Sequence, residues 1–161
     1  MKIIVINGAP RAGKDTFVEK CQKHTYWCLN VSTVDFVKEV AKFCGWDGEK
    51  TPANRAFLST LKDVLTLWDD VPFKKVCNRI ERFKGEVEIY GFDPDDALVF
   101  IHCREPDEIA RFCLELGAKS LLIRRATVEE TEQSNHADAE VLNYKYDYTI
   151  SMIIPLVMKE L

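Results

Sequence analysis

The sequence feature that most constrains this chain is a glycine-rich turn between an apolar run and a segment with helical periodicity. The run Ile3-Ile4-Val5-Ile6 shows no polar alternation, which is typical of a strand buried on both faces. The turn follows almost at once and comprises Gly8-Ala9-Pro10-Arg11-Ala12-Gly13-Lys14-Asp15-Thr16. A buried strand that leads through such a turn into a helix predicts an α/β fold, with the turn at the carboxyl edge of a parallel sheet.

The positions of the glycines and the lysine predict that this turn is a phosphate-binding P-loop. Gly8 and Gly13 lack a Cβ, so the backbone can curl and turn its N–H groups toward a polyphosphate. The helix that begins near Lys14 adds the positive end of its dipole, and the Lys14 ammonium would reach the β- and γ-phosphates. Asp15 replaces the Ser or Thr that usually holds Mg²⁺, and a carboxylate also suits that ion. A strand–turn–helix corner without a ligand is the competing interpretation.

Length and composition limit the classes of protein that the chain fits. Its 161 residues, 47% hydrophobic and 30% charged, suit one domain with a sizeable core. A net charge of −4 argues against binding to long nucleic acid as the main role. No apolar run approaches the length of a membrane span, and the N-terminus resembles a core strand rather than a signal peptide. The six cysteines form no C-x-x-C pair and no zinc spacing, so we expect reduced thiols and a cytoplasmic protein.

Strand and helix patterns alternate along the rest of the chain. Apolar runs predict four further strands, at residues 26–31, 97–103, 119–125 and 146–151. Together these patterns predict a five-stranded, mostly parallel sheet with helices on both faces. A largely helical insertion occupies about residues 34–90, and a polar, weakly patterned segment occupies about 126–143. The tail, 152–161, is expected to close the domain as a helix or turn.

Charged residues fall where the predicted strands end, which is the edge where open parallel sheets bind ligands. Asp35 follows the second strand, Arg104 follows the third, and the pair Arg124 and Arg125 ends the fourth. A phosphate loop with arginines beyond it suits phosphoryl transfer to a second phosphorylated acceptor, because that chemistry depends on charge neutralisation and alignment. The N-K-x-D motif by which switch GTPases read guanine does not occur in the sequence.

The chain resembles the nucleoside monophosphate kinases, and most closely the deoxynucleoside monophosphate kinases of bacteriophages and some bacteria. The resemblance covers nearly the whole chain in patches. Those patches are Gly-Lys-Asp-Thr at the end of the loop, Asp35-Phe36-Val37-Lys38-Glu39-Val40-Ala41, Gly45-Trp46-Asp47, Arg55, Arg104-Glu105-Pro106-Asp107-Glu108, Leu116-Gly117-Ala118-Lys119, His136-Ala137-Asp138-Ala139-Glu140 and Tyr146-Asp147-Tyr148-Thr149-Ile150.

The resemblance implies a role for each matching residue. ATP would bind as the phosphoryl donor to the loop residues Gly8, Ala9, Pro10, Arg11, Ala12, Gly13, Lys14, Asp15 and Thr16, and Asp15 would be the Mg²⁺ ligand. The insertion would bind the acceptor through Asp35, Phe36, Lys38, Arg55 and Arg104. The catalytic residues would be Lys14, Arg104 and Arg124. Residues 126–143 would close as a lid, with Arg125 at its base and His136 within it, and would exclude water.

Two departures from the family pattern leave alternatives open. His102 stands where the family commonly has an aspartate at the end of the third strand, and a neutral histidine is a poor partner for Mg²⁺. The lid segment is also acidic. The chain is therefore expected to phosphorylate a (deoxy)nucleoside monophosphate, or to bind nucleotides as a regulator without transfer. A third alternative is a kinase for another small acceptor, such as phosphomevalonate or dephospho-coenzyme A. Small-molecule nucleotides are the expected partners, and a homodimer is left open.

Overall fold

The computed structural model describes residues 1–125 and 143–152, and within them the chain forms an α/β fold. The strands are β1 (Lys2–Asn7), β2 (Cys28–Ser32), β3 (Leu98–His102), β4 (Lys119–Arg125) and β5 (Tyr148–Met152). The helices are α1 (Lys14–His24), α2 (Asp35–Phe43), α3 (Pro52–Asp69), α4 (Val71–Ile89) and α5 (Pro106–Leu116), and a short helical turn, Pro94–Asp96, precedes β3.

The five strands form one sheet in the order β2-β3-β1-β4-β5, and all of the neighbouring pairs are parallel. Ile6 of β1 lies opposite His102 of β3, and His102 lies opposite Ser32 of β2. The carboxyl ends of these three strands therefore finish level with one another. The predicted α/β class with a five-stranded parallel sheet is confirmed for the residues that the structure describes.

Helices cover both faces of the sheet. On one face α1 packs through Val18, and Phe17 meets Phe100 of β3 edge-on at 6.1 Å between ring centroids. On the other face α4 and α5 pack together, and Phe73 stacks on Phe112 at 4.7 Å. Strands β1 and β3 are neighbours, yet α1 and α5, which follow them, lie on opposite faces. This is the topological switch point at which a parallel α/β sheet opens a crevice for a ligand.

The two long helices α3 and α4 differ in burial, although both carry an apolar stripe. Helix α4 buries Val76, Ile80 and Val87 against the sheet. Helix α3 has no buried residue among its 18 and packs on α2 and α4, which leaves Trp68 77% exposed. The predicted insertion at 34–90 is therefore largely helical, with a loop between α2 and α3. Helix α4 is the crossover helix that covers the sheet, and α3 lies outside it.

Several predicted boundaries were wrong by a few residues. The second strand begins at Cys28, because Tyr26 stacks on Phe92 at 5.4 Å in a cluster of aromatic side chains that precedes the strand. Helix α4 continues to Ile89, close to the end of the predicted insertion, because Val87 extends the buried stripe. The last strand begins at Tyr148.

Two predicted segments fall wholly or mainly outside the described residues. Residues 126–142, which include His136 and nearly all of the predicted lid, are not described, and neither are residues 153–161 of the predicted closing segment. All six cysteines are free thiols, as predicted. Among the helices of residues 1–125 and 143–152, none combines the length and the apolar character that crossing a bilayer requires.

Candidate functional site

The glycine-rich loop, residues 8–13, joins β1 to α1 at the switch point. A Cβ on Gly8 would lie 2.3 Å from the carbonyl oxygen of Ile123, so only glycine lets the loop pack this closely against β4. Gly13 has φ 98° at the start of α1, and Arg11 has φ 62°. Both angles lie in the left-handed region, which costs a glycine little and a residue with a side chain more. The loop is thus tightly curled, as the sequence predicted.

Lys14 lies across this loop. Its Nζ donates hydrogen bonds to the carbonyl oxygens of Gly8 at 2.6 Å and Ala9 at 3.0 Å. The residue before α1 is Gly13, which has no side chain that could cap the helix. The first amide groups of a helix have no partners within the helix itself. An ammonium group beside such amides at the positive end of a helix forms a site suited to an anion.

A buried asparagine fixes the start of the loop, and its role was not predicted. Asn7 donates from Nδ2 to the carbonyl oxygen of Cys103 at 2.5 Å, and its Oδ1 accepts from the N–H of Gly8 at 3.2 Å. Asn7 is 3% exposed, so both of its contacts are sheltered from water. It ties the ends of β1 and β3 together across the switch point. In the sequence, this role was indicated only by the position of Asn7, a polar residue that follows the apolar run and directly precedes Gly8.

His102 ends β3 inside the crevice, among several charged groups. Burial lowers the pKa of His102, and the nearby ammonium groups of Lys14 and Lys38 lower it further, while Asp15 and Asp35 oppose them. Its Nε2 is buried and has no hydrogen-bond partner among the residues that the structure describes. The charged groups that act on His102 therefore come from α1 and from the start of α2.

The turn from β2 into α2 places two predicted residues at the same edge. Asp35 accepts from the N–H of Ser32 at 2.7 Å, and its other oxygen lies 3.9 Å from Nζ of Lys38. The Ser32 hydroxyl donates to the carbonyl oxygen of His102 at 3.1 Å. The phenyl ring of Phe36, predicted to bind the acceptor, has the Lys75 ammonium 4.1 Å from its centroid. That ring face is therefore already covered by a cation.

The structure places the four arginines outside the loop that were predicted as site residues in different surroundings. One guanidinium nitrogen of Arg125 lies 3.5 Å from the carbonyl oxygen of Arg11 in the loop. Arg124 is exposed, because successive side chains of a strand point to opposite faces and only one of the pair can turn toward the loop. Arg104 is exposed in the turn after β3, and Arg55 is exposed in the first turn of α3. Of the four, Arg125 is the one shown in contact with the loop.

One predicted metal ligand, Asp15, lies beside the loop. Asp15 is an exposed carboxylate in the first turn of α1, directly after Lys14. Among residues 1–125 and 143–152 there is no group of three His, Cys, Asp or Glu residues that could hold a metal ion. Magnesium is commonly bound by one or two carboxylates together with substrate phosphates, so Asp15 suits that role.

Comparisons with known proteins assign the chain to no family. No protein-family model matches the chain, and no curated protein matches it. Among solved structures, the chain is similar to the hypothetical protein MJ0577, with 14% identity over 95% of this chain and 96% of that chain, and with a TM-score of 0.28. A likeness at this level carries no argument about fold or function.

Proposed function

We propose that this protein is a P-loop phosphotransferase that moves the γ-phosphoryl group of ATP to a (deoxy)nucleoside monophosphate with Mg²⁺. The observation that carries the proposal is the glycine-rich loop at the switch point, with the Lys14 ammonium lying across it. The crevice beside that loop brings in Asp15, Asp35 and Lys38 around His102. Cations and carboxylates grouped around an anion site support transfer between two phosphate groups.

The proposed reaction needs positioning and charge stabilisation, and it needs no covalent intermediate on the protein. A phosphate oxygen of the acceptor attacks the γ-phosphorus, the bond to the β–γ bridging oxygen breaks, and ADP leaves. The loop amides and Lys14 would hold the donor phosphates, and Lys38 and Arg104 would hold the acceptor phosphate. Arg125 would neutralise charge beside the loop. Asp15 would hold Mg²⁺, which would supply positive charge to neutralise part of the charge on the donor phosphates.

The proposal is tested by ADP release from ATP and Mg²⁺ with a panel of ribo- and deoxynucleoside monophosphates, beside a reaction without acceptor. We expect one or several monophosphates to stimulate release in the wild-type protein. The variant Lys14→Met should lower kcat/KM by about 100-fold or more, because a charged donor to the transferring phosphates is lost.

The matched control for this test is Lys20→Met, which removes an exposed lysine from the same helix, α1. It should leave the rate unchanged. Equal rates in the wild type and Lys14→Met would show that the proposed active site is wrong.

A second candidate, a nucleotide-binding protein without transfer activity, is favoured by one observation. His102 stands at the end of β3 with its Nε2 buried and unpaired among the described residues, where the resemblance implies an aspartate. Calorimetric binding of ATP, with no stimulated release on any acceptor, would favour this candidate. Phosphomevalonate and dephospho-coenzyme A belong in the same panel, because stimulation by either would assign a different small acceptor.

A further inference from the structure

A groove opens between α3 and the start of α5, beside the crevice that holds His102. Its volume is about 390 Å³, and its walls come from Lys62, Asp63, Thr66, Leu67, Glu105 and Glu108. The groove is open on one side. None of its residues was assigned a role from the sequence, although Glu105 and Glu108 fall within a motif that carries the resemblance.

A largely buried ion pair forms the wall between α3 and α5. Nζ of Lys62 lies 2.8 Å from Oε2 of Glu108, and the two side chains are only 14% and 20% exposed. A pair this sheltered from water recovers little net stability, because each charge loses its hydration. The pair places a carboxylate and an ammonium group at a fixed position on the wall of the groove.

Contacts connect this pair to the proposed site. The hydroxyl of Thr33, a residue 2% exposed, lies 3.5 Å from the same oxygen of Glu108. The N–H of Thr33 donates to the carbonyl oxygen of His102 at 3.1 Å. Thr33 therefore connects Glu108 in the groove to His102 in the crevice. The phosphate chemistry is proposed to take place in that crevice. This arrangement suits the two ends of one nucleotide.

The charges on the groove decide which end of a nucleotide it would accept. Three carboxylates, those of Asp63, Glu105 and Glu108, face one ammonium, that of Lys62. A phosphate would be repelled here, whereas an uncharged group that donates hydrogen bonds would be attracted. Leu67, which is largely exposed, adds an apolar surface of the kind that the flat face of a heterocycle can cover.

We propose that this groove binds the base of the acceptor nucleotide, and that Glu108 selects bases with an exocyclic amine, guanine above all. Guanine presents a ring N–H beside its 2-amino group, and these donors would approach Glu108 chiefly at Oε1, because Lys62 and Thr33 contact Oε2. Lys62 would act as a positioning residue that fixes the Glu108 carboxylate, and it could donate to the guanine carbonyl oxygen. Adenine and cytosine offer one amine, and thymine offers none. This inference rests on the proposed function for the phosphate end of the nucleotide.

The test compares deoxyguanosine monophosphate with deoxyinosine monophosphate, which lacks only the 2-amino group. We expect the wild-type protein to prefer the guanine nucleotide in kcat/KM by about tenfold, because a charged acceptor loses a hydrogen bond to inosine. Glu108→Gln should bring the ratio close to one, chiefly through KM. The matched control is Glu115→Gln, on the same helix but paired with Arg111 outside the groove, and it should keep the ratio.

Glu105→Gln provides a second variant in case Glu108→Gln does not fold, which thermal denaturation will show. It should reduce the same ratio by less, since Glu105 lines the groove outside the ion pair. A wild-type ratio near one, or an unchanged ratio in the folded variants, would overturn the inference and leave the proposed function intact.

A different result would count against the proposed function and not against the groove. If no monophosphate stimulates ADP release, calorimetric binding of the same two nucleotides replaces the kinetic ratio. Tighter binding of the guanine nucleotide that is lost in Glu108→Gln would support the groove alone. Equal or undetectable binding of both nucleotides to the wild type would overturn it.

Discussion

At the scale of single residues, two features that would not contact a phosphate fix the position of the loop. Asn7 joins the ends of β1 and β3, and the missing Cβ of Gly8 lets the loop lie against Ile123. The sequence indicated the glycines through their spacing. It could not indicate that the close neighbour of Gly8 is a carbonyl group on β4, more than one hundred residues away along the chain.

The first residue-scale prediction concerns Gly8→Ala. A Cβ at 2.3 Å from a backbone oxygen forces the loop or β4 to shift, so we expect the free energy of unfolding to fall by about 2 kcal/mol. Nucleotide affinity should fall with it. Urea denaturation and ATP titration would measure the two effects.

The control is Gly85→Ala within α4, where an added Cβ would meet nothing within 4 Å. Because alanine favours helices over glycine, this variant should gain about 0.5–1 kcal/mol. A Gly8→Ala variant as stable as the wild type would show that the loop accommodates a side chain without cost.

A second residue-scale prediction follows from His102. Burial lowers its pKa in the folded protein, so the unfolded chain binds more protons at mildly acidic pH. The free energy of unfolding should therefore decrease as the pH falls below about 6.5, the ordinary histidine value. Urea denaturation of the wild type and His102→Gln between about pH 7.5 and pH 5 measures the difference.

Glutamine does not titrate in this range, so the variant should show a flatter dependence on pH. The control is His24→Gln at the exposed end of α1, which should keep the slope of the wild type. Parallel curves for the wild type and His102→Gln would contradict the assignment.

At the scale of elements, one polar contact secures the approach to the last strand. Asp147 accepts hydrogen bonds from both the N–H and the hydroxyl of Ser120, each at 2.8 Å, and its own N–H donates to that hydroxyl at 2.9 Å. These bonds to Ser120 lower the pKa of Asp147. They attach the chain before β5 to the second residue of β4, so the two strands enter the sheet in register.

Asp147→Asn should lower the free energy of unfolding by about 1 kcal/mol, because the carboxylate is partly exposed and loses a charge-assisted contact. The loss should be complete above about pH 4 and should shrink at lower pH, since a depressed pKa contributes stability only where the unfolded aspartate is ionised. Urea denaturation across this range is the measurement.

The matched control is Glu39→Gln on the exposed face of α2, for which we expect a change within about 0.5 kcal/mol. A loss for Asp147→Asn that persisted undiminished down to about pH 2 would mean that its charge is not the cause.

Element by element, periodicity predicted which segments are helices better than it predicted what they pack against. Helices α3 and α4 both show apolar stripes, and the sequence gives no sign that one lies on the sheet and the other outside it. The same limit applies to Arg124 and Arg125. A run that ends in two arginines cannot show which of them turns toward the loop until the faces of the strand are known.

For the whole molecule, the parallel sheet could be predicted because unalternating apolar runs and intervening helices leave few other arrangements. The crevice could also be anticipated, since the ends of parallel strands meet at one edge. The groove could not be anticipated. Lys62 and Glu108 lie 46 positions apart, and no spacing rule links a charge on one helix to a charge on another.

Helix α3 packs outside the helix that covers the sheet, and this position affects how freely its sequence can change during evolution. Substitutions in a helix with no buried residue cost little folding free energy, so its sequence can drift while the sheet and the glycine-rich loop stay intact. If α3 helps to form the acceptor site, new acceptor preferences are accessible through single changes at its groove-facing positions. A combinatorial library confined to the exposed positions Asp63, Thr66 and Leu67 would therefore be expected to yield mostly folded proteins with altered selectivity.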